Sequence, residues 1–66
     1  MQVADVEACV AEISQVADDP EKAHILEDEL WERVLEAIAQ RETTDPEGIA
    51  EAALQTRKIH FPRWCA

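Results

Sequence analysis

Asp19-Pro20-Glu21-Lys22-Ala23-His24-Ile25-Leu26-Glu27-Asp28-Glu29-Leu30-Trp31-Glu32-Arg33-Val34-Leu35-Glu36-Ala37-Ile38-Ala39-Gln40-Arg41 is the stretch that decides the fold. Its opening is a helix start: an Asp side chain accepts from unpaired first-turn amides, and proline at the next position gives up no amide the helix needs. Glu21 then sits favourably near the positive helix end. Leu26, Leu30, Val34, Ala37 and Ile38 recur on one face, widened by Trp31 and Leu35, and no breaker intervenes before Thr43. The reading is a helix over residues 20–41, about 33 Å long at ~1.5 Å per residue. It is the spine on which the rest folds.

The same chemistry returns at Asp45-Pro46-Glu47, which predicts a helix over 46–59. The connection Thr43-Thr44-Asp45 is so short that this helix must turn back on the spine, presenting Ile49, Ala52, Ala53, Thr56 and Ile59 inward. Gly48 in its first turn costs about 1 kcal/mol against alanine and implies either fraying or a tight contact there. Upstream, Val3, Val6, Val10, Ile13 and Ala17, flanked by Cys9 and Val16, form a stripe that predicts a first helix over 3–17. Pro62 cannot continue a helix and pushes Phe61 towards extended backbone, which leaves residues 60–66 as a tail. The expected architecture is one all-α domain, a small helical hairpin with a third helix and an extended aromatic C-terminal tail.

With 66 residues, such a domain buries only about 60% of its unfolded surface. A core this small supplies roughly 3–5 kcal/mol, so a bound partner or self-association is a natural supplement. Fifteen acidic against six basic residues give a net charge of −9. The imbalance lies entirely in residues 1–42, with twelve Asp/Glu and three Lys/Arg; residues 43–66 hold three of each. Phosphate backbones are repelled by such a surface, so direct nucleic-acid binding is not expected. No run approaches ~18 apolar residues and the N-terminal residues lack signal-peptide character, so a membrane role is not expected and the cytoplasm is. Cys9 and Cys65 form no CxxC pair, which fits reduced thiols, although a disulfide between them stays open.

At about 100° per residue, Glu27 falls within the apolar arc bounded by Leu26 and Leu35, where an ionised carboxylate needs a partner. His24 and Asp28 share that side of the helix. The candidate partners of Glu27 are His24, Arg57, Arg63 and the indole N–H of Trp31 or Trp64. Three readings follow. In the first, His24 and Glu27 anchor the tail by hydrogen bonding; in the second, Glu27 sets register at an interface. The third is a metal site drawn from His24, Glu27, Asp28, His60 and Cys65, whose spacing matches no standard zinc pattern.

Catalysis is not expected: no activated nucleophile or matched acid–base pair is present, Ser14 has no histidine at helical spacing, and one glycine cannot build a phosphate loop. No cofactor is implied. Glu29, Glu32, Arg33, Glu36 and Lys22 make the outward face of the long helix, read most simply as solvated. A sharper reading is an acidic mimic of nucleic acid that occupies a basic site on a DNA-handling protein. Phe61, Arg63 and Trp64 are residue types common in binding hot spots and equally good core plugs, with packing over the long helix the favoured role.

His24-Ile25-Leu26-Glu27-Asp28-Glu29-Leu30, Val34-Leu35-Glu36-Ala37-Ile38-Ala39, Ala53-Leu54-Gln55-Thr56 and Ile59-His60-Phe61-Pro62-Arg63-Trp64-Cys65-Ala66 together resemble a group of small uncharacterised proteins of bacteriophages and prophages, especially of actinobacteria. The likeness covers residues 18–66, and its most specific parts are His-x-x-Glu-Asp-x-Leu and the Arg-Trp-Cys-Ala ending. It implies a phage origin and a host-cytoplasmic location, with no activity to carry over. It directs attention to His24, Glu27, Asp28, Arg63 and Trp64. The resulting expectation is a non-enzymatic phage accessory protein acting by protein–protein contact or as a homo-oligomer.

Overall fold

The computed structural model describes residues 1–63. They form helices α1 (Val3–Gln15), α2 (Pro20–Ala39) and α3 (Pro46–Leu54), followed by a 3₁₀ turn over Gln55–Lys58; no strand occurs among the described residues. Both Asp-Pro-Glu steps start helices as local chemistry dictates. The Asp19 carboxylate accepts from the Lys22 amide at 3.3 Å and the Asp45 carboxylate from the Gly48 amide at 2.9 Å. Gly48 is a tight contact: a Cβ there would lie 2.5 Å from Asp45 Cγ, so a side chain would displace the capping carboxylate.

The helices are shorter than periodicity alone suggests. The first was expected over 3–17 and stops at Gln15, with Val16 already out of helical backbone at φ −110° and ψ 20°. The connection tightens into i→i+3 bonds, Val16 to Ile13 at 3.1 Å and Asp19 to Val16 at 2.9 Å. The second was expected over 20–41 and stops at Ala39. Arg41 takes the left-handed conformation (φ 56°). The amides of Arg41 and Glu42 then turn back to Ile38 and Ala37 at 3.2 and 2.8 Å, a Schellman closure with arginine where glycine is usual. The third, expected as one helix over 46–59, becomes 3₁₀ after Leu54.

The core lies where the three helices meet. Val6 and Ile13 of α1, Ala23, Leu30, Val34 and Ala37 of α2, and Ile49 and Ala53 of α3 are buried together with Phe61 of the tail. Periodicity found most of this set. It missed Ala23, and it assigned Trp31 and Leu35 to the core face, whereas Leu35 is 66% exposed and Trp31 is half-exposed. A three-helix arrangement covers only part of the α2 arc, so the arc's far edge stays in solvent. No described helix is long and apolar enough to cross a membrane.

Candidate functional site

Glu27 projects from the inward face of α2 with only 6% of its surface exposed, and Arg63 reaches it from the tail. Arg63 Nε donates to Oε1 at 2.8 Å and Nη2 to Oε2 at 3.0 Å, a two-pronged pairing that suits a planar guanidinium. The same Nη2 donates to the carbonyls of Thr56 (2.9 Å) and Ile59 (3.2 Å), and Nη1 to that of Phe61 (3.3 Å). Thr56 and Ile59 sit where the third helical element ends, and the Thr56 carbonyl also accepts from the Ile59 amide at 3.0 Å. Arg63 therefore serves as a side-chain cap for that end as well as the counter-charge of Glu27. Its guanidinium carbon also stands 3.8 Å from the centroid of the Phe61 ring.

Thr56 completes the arrangement. Fully buried, its hydroxyl accepts from Trp31 Nε1 at 3.1 Å and favours the charged form of Glu27. Burial pushes the Glu27 carboxyl towards a higher pKa. The hydrogen bonds from Arg63, the neighbouring Thr56 hydroxyl and the charges of Arg63 and His24 outweigh burial and hold it below the ordinary glutamate range. Glu27 is thus an ionised, paired carboxylate, and its hydrogen bond raises the pKa of Arg63.

Of the residues singled out from sequence, Glu27 and Arg63 meet directly. His24 Nε2 lies 3.5 Å from Asp28 Oδ1 one turn on, at the edge of the cluster, with Asp28 largely in solvent. The Trp31 indole, a candidate partner for Glu27, bonds Thr56 instead. Arg57 and His60 are exposed. Trp64 and Cys65 lie outside the described residues, and with them the Trp64 contact, the Cys9–Cys65 pairing and the Cys65 metal ligand. Among the described residues no group of three or more His, Cys, Asp or Glu is placed to hold a metal ion.

Periodicity placed Thr56 inward without giving it a role. The available signal was a hydroxyl on an otherwise apolar stripe, which needs partners when buried. Thr56→Val keeps the shape, orphans the Trp31 N–H and removes one support of Glu27. The expected cost is about 1–2 kcal/mol in urea unfolding, accompanied by a change in Trp fluorescence. Unaltered stability would remove Thr56 from the network.

A second feature lies on the other flank of α2. Trp31, Val34, Leu35 and Ile38 face Ala50, Ala53 and Leu54 of α3 across an open groove of about 330 Å³. Two alanines opposite large side chains leave the depression, and the hydrogen bond to Thr56 fixes Trp31 as one wall. Leu35 and Leu54 stand largely exposed on its two sides. The signal in the sequence was the width of the apolar arc, from Leu26 round to Leu35, more than neighbouring helices of this size cover. Chemically the groove is apolar and holds no titrating group, so it fits binding rather than catalysis. No family model, curated protein or solved structure matches the chain.

Proposed function

We propose that this chain is a non-enzymatic accessory protein of phage origin that works in the host cytoplasm by protein–protein contact, on another protein or on a second copy of itself, through the α2–α3 groove. The observation that carries this reading is the groove: solvent-facing Leu35, Leu54 and Trp31 around an all-apolar depression. Contiguous exposed apolar surface on a small protein is costly to keep unless something covers it. In this reading the Glu27–Arg63–Thr56 network is the support of the groove, because it fixes the Trp31 wall and ties the tail to α2.

The exposed face of α2 also weighs against simple charge mimicry of nucleic acid. Ile25, Trp31 and Leu35 break up its acidic residues with exposed hydrocarbon, which suits an apolar-anchored contact better than a phosphate-like row. The test is Leu35→Glu, which puts a charge on the groove without touching the core. Light scattering and affinity capture are run with wild type and variant, alongside thermal unfolding. The variant is expected to melt like wild type and to lose an association that wild type makes. A strictly monomeric wild type with the same capture profile as Leu35→Glu would end this reading.

A further inference from the structure

The rims of the groove say what kind of chain fits it. On α2, Asp28 and Glu32 lie one turn apart on the solvent side of Trp31 and Leu35; on α3, Glu47 lies on the solvent side of Ala50 and Leu54. All three are exposed, whereas Glu51 lies with Lys58 on the α1 side of α3. Of the basic groups nearby, His24 faces Asp28 from one turn back on the same helix. Arg33 lies on the opposite flank of α2, with Cys9, Glu12 and Leu26, and Lys58 on the α1 side, with Val3 and Glu7. Arg57 follows the end of α3. The groove is thus an apolar floor between two acidic banks.

We infer that the α2–α3 groove takes an amphipathic helix with basic flanks from another protein. This inference rests on the docking reading above and adds the partner's chemistry. The floor from Trp31 to Ile38 spans two helical turns, roughly 10 Å. That length matches the apolar face of a helix anchored at i, i+4 and i+7. Lysines or arginines beside those anchors meet Asp28 and Glu32 on one bank and Glu47 on the other. A second copy of this chain is the poorer occupant, since its own groove would bring like-charged banks together and each copy carries a net charge of −9. An anionic membrane surface is disfavoured for the same reason.

The test uses two stapled helical peptides of about 16 residues, long enough to cover two groove turns. Both carry leucine at i, i+4 and i+7; one has lysines flanking the leucines and its twin has glutamates. Binding to the full chain is measured by calorimetry, and the chain's own association state by sedimentation. The lysine peptide is expected to bind at least about tenfold more tightly than its twin, with affinity falling about tenfold between ~50 and ~300 mM salt as the rim charges are screened. Asp28→Lys/Glu32→Lys should erase that preference, and Leu35→Glu should abolish binding of both peptides.

Equal binding of the twins, lost together in Leu35→Glu, would overturn the basic-partner inference and leave the groove as a docking site. A dimer that Leu35→Glu dissociates, with neither peptide bound, would overturn it in favour of a second copy. A monomer that binds neither peptide overturns both the inference and the docking reading.

Discussion

Arg63→Ala is expected to cost about 3 kcal/mol, most of what a core of this size supplies. The truncation takes the counter-charge from Glu27, a carboxylate with 6% exposure, and the donors from the carbonyls of Thr56 and Ile59. A buried charge left without its partner is the expensive outcome, more so than the pair itself is favourable. Because the Arg63 side chain is 34% exposed, water reaches the vacated site and keeps the loss below the ~5 kcal/mol seen for fully enclosed pairs. Arg63→Lys restores one charge without the fork and should recover part of the loss. Glu27→Gln keeps the shape but not the charge, and, unlike a site that needs only a neutral hydrogen bond, it is expected to cost about 1–2 kcal/mol. Equilibrium urea unfolding of the three variants checks the ranking; an Arg63→Ala variant as stable as wild type would show that the tail contact is superficial.

Acid provides an independent reading of the same pair. The folded-state pKa of Glu27 is depressed relative to the unfolded chain. Its contribution is therefore present above the unfolded pKa and lost as pH falls through the lower folded value. In Arg63→Ala the main cause of that depression is gone and burial pushes the carboxyl up instead. The stability gap between wild type and Arg63→Ala should accordingly narrow on acidification below the ordinary glutamate range, and a gap independent of pH would contradict the ionised pairing.

Leu30→Ala and Leu35→Ala, the same exchange five positions apart on one helix, are expected to behave oppositely. Leu30 is 2% exposed, in the cluster that joins all three helices, and its truncation removes transfer energy and leaves a cavity, about 2–5 kcal/mol. In a domain this small that leaves much of the population unfolded at ambient temperature. Leu35 is 66% exposed, so its truncation should stay within about 0.5 kcal/mol of wild type while weakening whatever docks in the groove. Circular dichroism melts separate the two at once. Comparable destabilisation by both would mean that Leu35 is covered in solution, and a stable Leu30→Ala would place the core elsewhere.

Local chemistry determined the helical skeleton. Asp19-Pro20 and Asp45-Pro46 start helices wherever they occur, because capping and the missing proline amide are properties of adjacent residues. The 3.6-residue period turned Leu30, Val34 and Ile49 inward and carried Glu27 with them into hydrocarbon. What the period cannot supply is a partner or a limit. Arg63 stood 36 positions away from Glu27, one of several cations and indoles with equal claim on paper. Only the return of the third element set its guanidinium between that carboxylate and the carbonyls of Thr56 and Ile59. The meeting of all three helices buried Leu30 and left Leu35 bare, since how much of an apolar arc is buried depends on the width of the helices laid against it, and that is decided by tertiary packing.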